Sequence, residues 1–143
     1  MQKNSPGKLI SQLFRYGRIY LARQLEPFDL GKGQFWLLFT LYQKEGITQE
    51  DLSQSLTLDK STIARSVTRL EKAGYIYRKL SERDQRAYQI FLTEKAKKIG
   101  PQIHSILLKW NEVLSTGMSK EEIAAAHRLL IKLADNAANY LDK

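Results

Sequence analysis

Asp59-Lys60-Ser61-Thr62-Ile63-Ala64-Arg65-Ser66-Val67-Thr68-Arg69-Leu70-Glu71-Lys72-Ala73-Gly74, residues 59–74, reads as one helix with two unlike faces. Asp59 is a side-chain N-cap and Gly74 a C-terminal stop, which sets the helix at Lys60 to Lys72. At roughly 100° per residue, Val67 and Leu70 fall within about 40° of Ile63 and make one apolar stripe. Ser61, Arg65, Thr68, Arg69 and Lys72 lie within about 60° of the opposite pole. Each of these is a hydrogen-bond donor and three are cationic. The two acids, Asp59 and Glu71, fall away from that pole. A plain amphipathic surface helix also has a polar outer face, but it commonly mixes Glu with Lys. A helix that docks in a major groove needs this stricter division, with apolar anchoring behind and donors to base edges and phosphates in front.

The elements on either side complete the picture. Upstream, Thr48 caps a short helix from about Gln49 to Ser55, with Asp51 where a capping box places its acid. Leu56-Thr57-Leu58 joins it to the next helix, so the pair reads as a helix-turn-helix. Downstream the period changes from helical to alternating. Residues 75–80 (Tyr-Ile-Tyr-Arg-Lys-Leu) and 87–92 (Ala-Tyr-Gln-Ile-Phe-Leu) are β-branched and aromatic. They flank the polar run Ser81 to Arg86, which predicts a hairpin, or wing. Arg78, Lys79, Arg83 and Arg86 crowd that hairpin. An arginine at such a tip suits a narrow minor groove, where the negative potential is strongest. The same charges also suit an edge hairpin guarding itself against aggregation.

Helices enclose this unit. The first opens at Ser5-Pro6, runs through Leu9, Ile10, Leu13, Phe14, Tyr20, Leu21 and Leu25, and ends at Pro27. A second covers about Lys32 to Lys44. Thr93 caps a long helix with Glu94 in its first turn, and Gly100-Pro101 predicts a kink or restart within it. Ser119-Lys120-Glu121-Glu122 is a capping box opening a last helix, with Ile123, Ala126, Leu130, Leu133, Ala137 and Leu141 on one face. The expected fold class is therefore mainly α with a small β-hairpin wing. Residues 31–93 would form the winged helix-turn-helix DNA-binding domain, and residues 1–30 with 94–143 a helical dimerisation region. The long apolar faces of the terminal helices exceed what so small a domain covers alone, which predicts a homodimer.

Bulk properties agree. The 143 residues carry 23 Lys and Arg against 15 Asp and Glu, a net charge of +8. Half of that excess lies in residues 59–86. Such a balance favours a polyanionic partner. With no cysteine, disulfides, thiolate zinc sites and thiol switches are excluded, which fits a reducing cytoplasm. The polar run Met1 to Gly7 does not read as a signal peptide, and no stretch approaches the ~18–20 apolar residues of a membrane span. Membrane-surface binding would need an amphipathic helix that joins a more strongly basic face to exposed bulky apolar side chains, and none of these helices is that cationic on one side. His104 and His127 lack metal-ligand spacing, and no glycine-rich phosphate loop occurs, so neither catalytic residues, nor metal, nor cofactor is expected.

These residues resemble the MarR-type transcriptional regulators. The similarity runs through Asp59-Lys60-Ser61-Thr62-Ile63-Ala64-Arg65 and Leu70-Glu71-Lys72-Ala73-Gly74-Tyr75-Ile76. It resumes at Asp84-Gln85-Arg86-Ala87 and Leu92-Thr93-Glu94-Lys95. The Asp-x-Arg at the wing tip, six residues before Leu-Thr, is its most specific mark. The resemblance implies a homodimer on a roughly palindromic site, with the first and last two helices dimerising. It further implies the residue 60–72 helix in the major groove and Arg86 in the minor groove, with Asp84 orienting the wing. Many members place Asp-Pro ahead of the tip, where this chain has Ser81-Glu82.

The expected DNA-binding residues are Lys60, Ser61, Thr62, Arg65, Thr68, Arg69, Lys72, Arg78, Arg83, Asp84 and Arg86. The partner is double-stranded DNA, bound by a transcriptional regulator, most simply a repressor; the alternative is a winged-helix module for protein or RNA. Eight of the fourteen aromatic residues fall between Phe14 and Tyr42, with Arg15, Arg18 and Arg23 threaded among them. An aromatic wall edged by a cation suits a small aromatic carboxylate or phenolic effector, with Arg15, Tyr16, Arg18 and Trp36 as candidates. Aromatics at helical spacing equally read as core.

Overall fold

Leu52, Ile63, Val67 and Leu70 come from two short helices set against each other, and all four are fully buried. The computed structural model describes residues 4–142; Met1 to Lys3 of the polar N-terminal run, and Lys143, lie outside it. In order, the elements are α1 (Pro6–Leu25), a 3-10 turn (Glu26–Phe28), α2 (Lys32–Gln43), β1 (Ile47–Thr48), α3 (Gln49–Leu56) and α4 (Lys60–Lys72). There follow β2 (Ile76–Leu80), β3 (Tyr88–Leu92), α5 (Glu94–Leu114) and α6 (Lys120–Leu141). The fold is mainly helical with a small antiparallel sheet, as the sequence pattern implies.

Two features depart from the sequence expectation. The wing is a three-stranded sheet rather than a bare hairpin, in the order β1-β3-β2. Ile47 pairs with Ile90 and Thr48 with Gln89, so β3 is the central strand. β1 has only two residues, too few for alternation to register. The second departure is at Gly100-Pro101, where α5 neither ends nor restarts but continues as one helix. Ile103 and Ile106 anchor the segment beyond the proline in the core, and the Ser105 hydroxyl donates to the Pro101 carbonyl at 2.9 Å.

The caps form as read. Thr48 and Asp51 satisfy each other's amides reciprocally at 3.0 and 3.1 Å, and Ser119 and Glu122 do so at 2.9 and 3.1 Å. Gly74, at φ +81°, closes α4: its amide donates to Glu71 and that of Tyr75 to Leu70, the paired bonds of a Schellman end. The turn between α3 and α4 uses the same geometry with Thr57 at φ +54°, a conformation that a β-branched residue rarely adopts.

The chain divides into two compact units, Met1–Leu108 and Lys109–Lys143. In the first, one core joins Leu21 and Leu25 of α1, Phe35, Leu38 and Leu41 of α2, the α3–α4 pair, Ile76 and Ile90 of the sheet, and Ala96, Ile103 and Ile106 of α5. Tyrosine hydroxyls tie the layers together: Tyr20 donates to the Ile106 carbonyl at 2.7 Å, Tyr42 to Ala96 and Tyr75 to Phe28. Burial pushes the Tyr42 phenol up to about 12. In the second unit α6 has no buried residue, and Leu129, Leu130, Ile131, Tyr140 and Leu141 stand exposed.

Candidate nucleic-acid interface

Burial of Ile63, Val67 and Leu70 fixes the rotation of α4, and the buried Ser66 lies on the same side. The opposite side therefore faces outward. Lys60, Ser61, Arg65, Thr68, Arg69 and Lys72 are all exposed there, with Thr62 half-buried. Four of those side chains, Lys60, Arg65, Arg69 and Lys72, keep a solvent-facing charge without disturbing the core, because the apolar stripe alone carries the packing.

The N-terminus of α4 is more ordered than the spacing alone suggests. The Asp59 carboxylate accepts from the hydroxyls of Ser61 and Thr62 and from the Thr62 amide at 3.1 Å. Those bonds, that of Ser61 first, hold the Asp59 carboxyl well below the usual carboxylate range. Arg65 Nη2 in turn donates to Thr62 Oγ1 at 3.3 Å. The two hydroxyls thus spend their protons on the cap and present lone pairs outward, while Arg65 is held over the first turn. One turn further on, Thr68 donates to the Ala64 carbonyl at 2.9 Å, so its hydroxyl proton is also engaged within the helix.

The wing tip is shaped by two side chains. Ser81 Oγ accepts from the amides of Arg83 and Asp84, each at 3.3 Å, and Asp84 Oδ1 accepts from the Arg86 amide at 3.0 Å. Asp84 thereby fixes the backbone that carries Arg86, and Ser81 takes a part in the turn that the sequence reading did not assign to it. Arg83 and Arg86 are exposed. Asp84 and Arg86 border a cleft completed by Thr48, Gln49 and Glu50 at the start of α3. Arg69 and Lys72 border another, beside Asp29, Gly31 and Gln34 at the start of α2. The candidates are thus gathered around the helix-turn-helix and its wing.

Arg78 stands apart from the other cations. Its Nε and Nη2 each donate to the Glu71 carboxylate at 3.1 Å, and Nη1 donates to Gln49 Oε1 at 3.4 Å. The hydrogen bonds from Arg78 hold the Glu71 carboxyl below its ordinary value and push the guanidinium upward. The sequence offered no signal for Gln49, since its partner lies 29 positions away.

Arg15, Tyr16, Arg18 and Trp36, the four effector candidates, line neither the clefts beside the wing and α4 nor the apolar one between α2 and α5. Arg18 sits over the Phe14 ring at 5.6 Å, and Tyr16 and Arg15 are exposed on α1. Trp36 meets Phe35 and Phe39 edge-on, with centroids 5.1 and 5.8 Å apart. An apolar cleft of about 410 Å³ between α2 and α5 is lined instead by Phe39, Tyr42, Gln43, Gly100, Pro101 and His104. Phe39 stacks on His104 there, 6.0 Å between centroids. Phe35 belongs to the core.

Among the described residues, no helix is long and apolar enough to cross a membrane. The MarR family profile matches residues 30–88, from the approach to α2 to the first residue of β3. The uncharacterized HTH-type transcriptional regulator YybA of Bacillus subtilis (strain 168) is 31% identical over 113 residues, 79% of this chain and 75% of its own. A MarR transcriptional regulator from Methanosarcina mazei Go1 superposes with a TM-score of 0.88 at 40% identity, over 94% of this chain and 96% of that one. A Listeria monocytogenes chain assigned to the same family, solved in complex with a 26mer DNA, gives a TM-score of 0.90 at 28% identity, covering 95% and 91%. With a cationic outer face on α4, a basic wing and these relatives at such coverage, the chain belongs to the MarR family of DNA-binding transcriptional regulators.

Proposed function

We propose that this protein is a cytoplasmic homodimeric repressor that binds a near-palindromic duplex operator. The observation that carries the reading is the outer face of α4, where Arg65, Arg69 and Lys72 stand exposed over a fully buried stripe. In this reading α4 enters the major groove, with Arg65 reading a base edge, Lys60, Arg69 and Lys72 at phosphates or neighbouring bases, and Ser61 and Thr62 accepting from base amino groups. The Thr68 methyl, free because the hydroxyl bonds backwards, suits a thymine methyl. Arg83 and Arg86 reach the minor groove and its phosphates, on a tip set by Asp84.

The dimer is supported by apolar side chains that the single chain leaves in water. Leu9, Leu13, Phe14 and Ile19 of α1 are 44–64% exposed, and Leu129, Leu130, Tyr140 and Leu141 of α6 are 51–76% exposed. Residues 1–30 and 94–143 would form the dimerisation region and 31–93 the DNA-binding lobe. A two-fold axis then sets the two α4 helices about one DNA turn apart, ~34 Å. An aromatic carboxylate or phenol held near Arg15, Tyr16, Arg18 and Trp36 would release the operator by favouring another spacing of the lobes, to the extent of its differential affinity.

Selection of bound duplexes from random sequence at fixed salt tests the proposal. Two half-sites with centres ~10 base pairs apart, or a multiple of that, are expected. Enrichment of a single asymmetric half-site would refute the dimeric reading. Indifference to duplex DNA together with salt-insensitive capture of protein or RNA would favour an interaction module.

A further inference from the structure

We propose that Arg78 is a positioning residue, a strut that fixes the angle between the wing and α4, rather than a contact to DNA. The inference rests on the reading of α4 and the wing as the two DNA-engaging elements. Its basis is how the guanidinium is used. Both edges of the fork that matches a carboxylate are spent on Glu71, in the last turn of α4, at 3.1 Å each. The remaining nitrogen reaches Gln49, the first residue of α3, at 3.4 Å. The guanidinium carbon lies over the ring of Tyr88, 5.7 Å from its centroid, on the neighbouring strand. Tyr88 is cross-strand partner to Leu80 at the far end of the ladder, and Arg78 itself pairs with Ile90.

One side chain therefore joins four elements: α3, α4, β2 and β3. Beyond it toward the tip the β2–β3 ladder continues through Lys79–Gln89 and Leu80–Tyr88 and then the Ser81 amide on the Ala87 carbonyl at 2.9 Å, and both Leu80 and Tyr88 are exposed. Gln89 is tied to Thr48 and to the Gly46 carbonyl, but neither belongs to α4, so the direction of the hairpin relative to α4 is set by the strut. A phosphate-binding arginine needs its fork free; this one has its fork closed on a carboxylate that carries equal and opposite charge. Lysine could replace a point charge at a phosphate but not a bidentate fork closed on a carboxylate.

Three variants separate the roles: Arg78→Lys, Arg78→Gln and Glu71→Gln, each titrated with a selected duplex across a range of salt. As a strut, each should weaken binding about fivefold at fixed salt, leaving the slope of log K against log [salt] at the parent value. The double variant Arg78→Gln/Glu71→Gln should be no weaker than either single one, because both remove the same bond. If Arg78 instead binds a phosphate, Arg78→Lys would behave like the parent, and Arg78→Gln would lower the slope by about 0.9 for each phosphate no longer neutralised. Glu71→Gln would then tighten binding by freeing the guanidinium. That pattern overturns the proposal.

A second measurement needs no DNA. The chain has no cysteine, so Ser55→Cys and Glu82→Cys, both at exposed positions, can carry spin labels on α3 and the wing tip. In labelled chains diluted into unlabelled ones, the distance distribution should broaden in every strut variant. A distribution unchanged in all three refutes the strut. Arg65→Ala and Arg86→Ala controls on the same duplex test the underlying reading. If both bind like the parent, the assignment of α4 and the wing fails, while the label distances still decide the strut.

Discussion

Arg65 is the side chain on which base preference should depend most, because it stands on the outer pole of α4 and is steadied by Thr62. Arg65→Ala is expected to cost roughly 1–3 kcal/mol at the cognate site and to flatten discrimination at one base pair. Arg86→Ala should weaken binding more evenly across sequences and reduce the salt slope; titrations at two or more ionic strengths distinguish these outcomes. Asp59 connects the same helix to pH. Its carboxyl titrates lower in the folded chain than in the unfolded one, so the stabilisation is complete above the unfolded value near ~3.9. It is lost as pH falls from there through the folded value. Thermal melts should therefore show stability falling on acidification below about pH 4, with a shallower fall in Asp59→Asn.

Each element is held by a few positions whose effects are separable from DNA contact. Gly74 adopts φ +81° at the end of α4, and a side chain there is strained whatever room surrounds it. Gly74→Ala should destabilise by about 1–2 kcal/mol, read as a lower Tm with the spectrum of the folded state retained. Leu52 is the single buried residue of α3 and is wholly inaccessible. Leu52→Ala should cost about 2–5 kcal/mol through reduced burial and the cavity left behind, measured by denaturant titration. The helical periodicity, the caps at Thr48, Asp59, Thr93 and Ser119 and the stop at Gly74 were all legible in the sequence, because caps and stops act over three or four residues. β1 was not, since two residues acquire strand geometry only from their pairing with β3. At Pro101 the helix does not restart for a related reason: burial of Ile103 and Ile106 keeps α5 continuous across it.

At the scale of the whole molecule the exposed apolar side chains of α1 and α6 dominate the expected behaviour. A chain ending before Ser119 lacks all of α6, and it should sediment as a monomer at concentrations where the full chain is expected to dimerise. A truncated chain that still forms a dimer would assign the association to α1 and α5. The net charge of +8 is doubled in a dimer, so association with DNA should be fast at low salt and weaken steeply as salt rises.

The amphipathic pattern of residues 59–74 and the switch of period after Gly74 determine the helix-turn-helix and its wing, because both are set by interactions between near neighbours. They also place Arg65, Arg69 and Lys72 on the outer side of α4. The partnership of Arg78 with Glu71 and Gln49 and the tip-shaping role of Ser81 were decided only in three dimensions. Composition makes any arginine in a basic wing look like a free cation. Whether it is free depends on which carboxylate the fold brings within reach of its fork, and that is a property of packing between elements rather than of spacing along the chain.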